Sequence, residues 1–168
     1  IEATDKVGGI VGVIKGGGAL RNCFNSGAIE ATDSVGGLVG VIISGIVENS
    51  YNTGDITANS CLGGLVGADA HVDIYTSIQN CYNTGIIKSQ ISDNRTGGIL
   101  GVTHQLPVNS YYLRGTSDEG IGGGATPAGN LGLDAFYMQT PAFALELNNQ
   151  YNDIWVSKDT YPVLDWEK

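Results

Sequence analysis

Short apolar phrases bounded by glycine return along this chain, and polar phrases keep step with them. Gly-Gly-Ile-Val-Gly stands at 8–12, Gly-Gly-Leu-Val-Gly at 36–40 and 63–67, and Gly-Gly-Ile-Leu-Gly at 97–101, so successive copies begin 28, 27 and 34 residues apart. The polar phrase runs from Asn22 to Gly27, Asn49 to Gly54 and Asn80 to Gly85, and persists in altered form from Asn109 to Tyr112. Each apolar run is too short for a helix and rich in β-favouring residues, which predicts a buried strand. Leu20, Val47 and Ile78 sit two residues before the asparagine, and Ile29, Ile56 and Ile87 two residues after the closing glycine. They bracket a second strand, or a second and a third, with Asn-Thr-Gly or Asn-Ser-Gly as the turn.

One such unit has no opposing face to bury, whereas stacked copies place every apolar column against its own kind. The expected fold is therefore all-β, a parallel β-helix or β-solenoid of about four coils spaced about 4.8 Å apart, covering residues 1–112. From the glycine closing the apolar phrase to the next asparagine the gaps are 10, 9, 13 and 8 residues. Length variation confined to such segments marks external loops. After Tyr112 the pattern fails. Residues 113–168 are expected to form a C-terminal cap with three parts: an irregular loop from Leu113 to Asn130, a short helix at 141–148, and terminal strands around Trp155-Val156 and Tyr161 to Trp166. Thr140-Pro141 gives that helix an N-cap and a first-turn proline, and Phe143 and Leu147 give it an apolar stripe. A cap is needed because the last coil would otherwise show an open strand edge. The chain opens with Ile1 to Gly9, nearly the words of Ile29 to Gly37. It starts in mid-repeat, so further repeats are expected upstream.

Composition then narrows the function. Glycine at 26 of 168 residues, falling at fixed places in the phrases, marks turns or close backbone approaches, above all the column Gly9, Gly37, Gly64 and Gly98. The 17 acidic residues against 8 basic ones give a net charge of -9, which repels phosphate backbones and disfavours nucleic acid. No apolar run approaches the length of a transmembrane helix.

The paired phrases carry a family resemblance. Four Gly-Gly-aliphatic-aliphatic-Gly runs, three of them followed by Asn-(Cys/Ser)-(Tyr/Phe)-Asn-(Thr/Ser)-Gly, resemble the GLUG repeat over roughly residues 1–112. The final copy departs from it, with Tyr112 in place of the second asparagine and no Thr-Gly after it. GLUG repeats are found in large bacterial surface proteins, among them immunoglobulin A peptidases and adhesins of gut Bacteroidales. The resemblance implies a β-solenoid displayed outside the cell or on its surface, and it supplies no catalytic residue or cofactor.

Several constellations could carry chemistry. Asp69, His71 and Asp73 alternate along one stretch and could hold a metal, but a polar insertion loop explains them better. Asp5 and Asp33 share a column whose other members, Ser60 and Asn94, are residues that cap turns, which argues against a catalytic carboxylate pair. Asn22, Asn49, Asn80 and Asn109, with Asn25, Asn52 and Asn83, form columns suited to structural amide ladders. Phe24, Tyr51, Tyr82 and Tyr111 form an aromatic column, the best binding candidate. Facing outward it could stack on sugar rings or a partner protein, facing inward it is core, and residue parity leaves the direction open. Cys23 and Cys81 share a column with Ser50 between them, about 10 Å apart and too far for a disulfide. All three cysteines are expected free, with Cys61 outward and most reactive.

The functional expectation is a non-enzymatic structural or adhesive segment of a large secreted or cell-surface bacterial protein, meeting a host or bacterial surface protein or a glycan. The alternative is a carbohydrate-binding or carbohydrate-active module on the same scaffold.

Overall fold

The computed structural model describes residues 1–70, 76–92, 95–103, 105–123, 131–149 and 153–168. The chain winds into a parallel β-solenoid of about four coils. Each apolar phrase makes two strands rather than one. Asp33–Gly36 and Val39–Ile42 are separate strands, and Gly37-Leu38 turns the corner between them. Apolar residues on both sides of a glycine pair read alike whether the chain runs straight or bends, and here it bends.

A full coil has five short strands, one in each of five parallel sheets. Sheet I stacks Asp5–Gly8, Asp33–Gly36, Ser60–Gly63 and Thr96–Gly97, and sheet II stacks Val11–Ile14, Val39–Ile42, Val66–Asp69 and Leu100–Val102. Sheet III holds Gly18–Arg21, Gly45–Glu48 and Thr76–Gln79. Sheet IV runs Phe24–Asn25, Tyr51–Asn52, Tyr82–Asn83, Tyr111–Leu113 and Gly132–Leu133, and sheet V holds Ile29–Glu30, Ile56–Ala58 and Ile87–Ser89. Register follows the repeat. Val35 pairs with Val7 and Leu62, and Ile56 with Ile29 and Ile87.

Two apolar columns systems fill the coil. One holds Leu38, Leu65 and Ile99 with Val47, Ile78 and their neighbours, and the other holds Val7, Val35 and Leu62 with Ile29, Ile56 and Ile87. Between them the coil is pinched to a waist, where Asn52 of sheet IV meets Gly37 at the corner of sheets I and II. A Cβ on Gly37 would lie 2.4 Å from Asn52 Cγ and 2.2 Å from Gly64 O. Gly64 meets Asn83 and Gly98 O in the same way, at 2.5 and 2.0 Å. These glycines are required by close approach, since no side chain fits between the corner and the amide. In the first coil Ile10 departs from its column. Its backbone pairs with Leu38, yet it is 43% exposed while Leu38, Leu65 and Ile99 are fully buried, because no coil stacks above it here.

The stretch expected to be irregular after Leu113 begins a fifth, partial coil. Gly98 and Ile99 donate to Glu119 O and Gly120 O, Leu100 bridges to Ile121, and Tyr112 pairs with Gly132. Ile121 is buried in the first apolar cluster. Its phrase, Gly-Ile-Gly, keeps only one apolar residue, too few to register as a repeat. Tyr112 accounts for the departure of the fourth polar phrase. Its ring fills the waist where the other coils place an asparagine, within 2.4 Å of where a Gly98 Cβ would stand.

Two helices follow, α1 at Ala135–Met138 and α2 at Pro141–Leu147. Thr140 precedes α2 in extended conformation, but its hydroxyl donates to Tyr137 O instead of capping the helix. Strands Trp155–Val156 and Val163–Leu164 pair antiparallel. This C-terminal segment lies along the side of the solenoid, against sheet IV. Its Trp155 and Phe143 pack on the sheet IV aromatic residues.

Candidate functional site: the aromatic column and its amide ladders

The polar phrase Asn-Cys/Ser-aromatic-Asn turns the chain from sheet III into sheet IV, and each of its residues has one task repeated in every coil. Asn22, Asn49, Asn80 and Asn109 all take left-handed backbone angles, with φ of 53°, 48°, 53° and 47°. Asparagine tolerates that region better than most residues, which explains its recurrence. The amides of Asn49, Asn80 and Asn109 form a ladder in which Asn109 donates to Asn80 (2.7 Å) and Asn80 to Asn49 (3.3 Å).

The next position alternates Cys23, Ser50, Cys81 and Ser110. Each side chain donates to the carbonyl two residues back, and each serine Oγ accepts from the cysteine N–H of the coil before it. Cysteine thus stands in for serine as a weak donor. No disulfide joins Cys23, Cys61 and Cys81. Burial pushes the Cys81 thiol up to about 12. Cys61 corrects the expectation of an outward, reactive thiol: it has φ of 53°, in line with Lys6 and Ser34, yet it is buried, and Cys23 is the more accessible.

Asn25, Asn52 and Asn83 form the second ladder at the waist. Asn25 Nδ2 donates to Asn52 Oδ1 and Asn52 Nδ2 to Asn83 Oδ1, each at 2.8 Å. Each amide also closes its own turn, donating to the carbonyl of Gly27, Gly54 or Gly85 and accepting that glycine's N–H. The amides are buried, and the ladder bonds and turns they make leave no face for a ligand.

Between the ladders the aromatic side chains point away from the coil interior. Phe24 stacks on Tyr51 at 5.1 Å and 9°, and Tyr51 on Tyr82 at 4.9 Å and 8°, spacings set by the coil repeat. The platform is not open. Trp155 packs on Tyr51 and Tyr82, Phe143 packs edge-on against Tyr82 and Tyr111, and Met138, Leu147 and Leu164 complete a third apolar cluster outside the coil. Tyr82 is 1% and Tyr51 5% exposed.

Each coil's aromatic phrase is bonded to this covering segment. Trp166 stacks on Phe24 and donates Nε1–H to Asn22 O (3.2 Å). Tyr51 OH donates to Glu167 (2.8 Å), Tyr82 OH to Pro162 O (2.6 Å), and Tyr111 OH to Glu146. Burial with Glu167 nearby pushes the Tyr51 hydroxyl well above the ordinary tyrosine range; burial does the same at Tyr82, and burial with Glu146 at Tyr111.

The other candidates are placed as follows. Asp5 pairs across the sheet with Asp33; Asp5 is held by Lys6, and Asp33 accepts the N–H of Ser34. Asp69 is buried and accepts from Thr76 and Thr103, while His71, Asp73 and Asn94 lie outside the described residues. Among the described residues no group of three or more His, Cys, Asp or Glu is placed to hold a metal ion. Among the described residues no helix is long and apolar enough to cross a membrane. The covering of the aromatic column was not legible in the sequence, although both tryptophans lying beyond the repeats were its one visible sign.

A comparison with curated proteins and one with solved structures each found no match. The family model of the GLUG motif matches residues 31–57 and 58–88. Each match begins just before a sheet I strand and ends in sheet V, so the motif and one turn of the solenoid are the same unit. The chain carries the GLUG motif in tandem, one copy in each of its two central coils.

Proposed function

We propose that this chain is a non-catalytic scaffold segment, a stiff spacer or adhesive stalk in a large secreted or cell-surface bacterial protein, continued upstream by further coils of the same repeat. One observation carries the reading: the C-terminal segment is bonded to the aromatic phrase of four successive coils, at Asn22, Tyr51, Tyr82 and Tyr111. Coils that contact only their neighbours would peel apart one at a time under tension. A lateral staple makes them yield together. The columns that could have formed a site are also engaged in packing, ladders and turns, which favours a structural role over the carbohydrate-active alternative. The open upper face of the first coil, where Ile10 lies exposed above a buried column, suits a preceding coil.

Pulling the chain between its termini in a single-molecule force experiment tests this. The intact chain is expected to yield in one main event, and a chain lacking residues 153–168 in several smaller ones. Coil-by-coil yielding of the intact chain would overturn the spacer role.

A further inference from the structure

The fourth coil is incomplete on one side. Ile87 donates its N–H to Thr116 O (2.9 Å), which sets Ser117 beneath Ile87 in the column Ile29, Ile56, Ile87. The chain then crosses at once to Glu119, whose carbonyl accepts from Gly98 (2.7 Å). In the coil above, the same passage takes the chain from Lys88 to Thr96 and includes a sheet V strand. Among the described residues no strand pairs beneath Ile87–Ser89, so sheet V ends there while sheets I, II and IV run on. The shortcut leaves a slot of about 530 Å³ under that edge.

Two apolar columns end at this slot in hydroxyls. Val7, Val35 and Leu62 are followed by Thr96, and the isoleucines by Ser117. Thr96 Oγ1 and Ser117 Oγ are both shielded from solvent and bonded to nothing. A hydroxyl in that state is costly unless something supplies a partner. Ile86 and Ile91 on the lining are 55% exposed each, and among the described lining residues Asp118 and Glu119 stand against one lysine, Lys88.

We propose that the slot binds a short extended peptide of a partner protein, which pairs with the edge of Ile87–Ser89 and completes the fourth coil. Ile87 N–H is taken by Thr116 O, so the peptide pairs with the remainder of this edge, toward Ser89, whose main-chain groups an extended segment matches. An apolar side chain of the peptide covers Ile86 and Ile91. A lysine or arginine of the peptide faces Asp118 and Glu119, since a chain of net charge -9 repels acidic segments. Among the described residues no aromatic ring lines the slot, so they give no stacking platform of the kind sugar rings use. The slot lies away from the staple on sheet IV, and peptide capture does not depend on the spacer role.

The probe is a fluorescein-labelled heptapeptide, Gly-Lys-Val-Thr-Val-Lys-Gly, titrated with the full chain and followed by anisotropy. Saturable binding is expected, weakened at least about tenfold when the central three residues are N-methylated, because the methyl groups remove the pairing donors. A similar loss is expected with Ile91→Glu, an exposed position whose substitution leaves the fold intact by circular dichroism. Absence of saturation, or equal affinity for the N-methylated peptide, overturns the proposal. So does a glycan or a second copy of the chain found in the slot instead, detected as glycan binding or as dimer formation that Ile91→Glu abolishes.

Discussion

Glycine and asparagine do at the residue scale what the repeat needs, one by having no side chain and the other by tolerating a left-handed backbone. Gly64→Ala is expected to cost about 3 kcal/mol or more, because its Cβ would meet Gly98 O at 2.0 Å and Asn83 Cγ at 2.5 Å and neither can retreat without opening the waist. Urea denaturation of the variant against the parent measures it. The cysteines differ in burial, which orders their reactivity. Under native conditions iodoacetamide should label Cys23 first and Cys81 last, since Cys81 is fully buried and its thiol is pushed up to about 12. Peptide mapping by mass spectrometry reads the order.

At the scale of the element, the sheet IV turn and its amide ladder act as one unit. Asn52→Ala removes two ladder bonds and both bonds that close the turn to Gly54. Stranded partners in a buried site should make this cost about 2 to 4 kcal/mol, since Gly54 loses both bonds to the amide and Asn25 and Asn83 lose one each. Asn52→Asp should be worse, because it adds a buried charge and loses a donor. Melting temperatures of the two variants give the comparison. The elements also show why apolar runs alone misplace strands: Gly-Gly-Leu-Val-Gly has the composition of a strand and the function of a corner.

Across the whole molecule the C-terminal segment is the part that ties coils together. Trp155→Ala is expected to cost about 3 to 5 kcal/mol by emptying the space over Tyr51 and Tyr82. Deleting residues 134–168 should bare the aromatic column and cause association that rises with concentration, read by light scattering. Alkaline pH tests the same contact. The hydroxyls of Tyr51, Tyr82 and Tyr111 are raised in the folded chain, so it holds their protons more tightly than the unfolded chain does. Their stabilisation is fully present below the ordinary tyrosine value of 10.0 and is lost as pH rises beyond it. Urea midpoints at about pH 8 and about pH 10.5 should therefore fall, and fall less with Tyr51→Phe.

The repeat period, the parallel stacking, the columns and the helix at Pro141–Leu147 could all be taken from the sequence, because each is local or repeats in phase with itself. Stacking identical units turns sequence spacing directly into spatial register. Three things only the tertiary structure decided. The aromatic column faces outward yet is covered, because its partners Phe143, Trp155 and Trp166 come from a segment without the period. The waist required by Gly37 and Gly64 depends on Asn52 and Asn83 lying across the coil, a contact that no local pattern states. Residues Glu119 to Gly122 join the stack with a single apolar side chain, since pairing with the edge above them needs only their backbone.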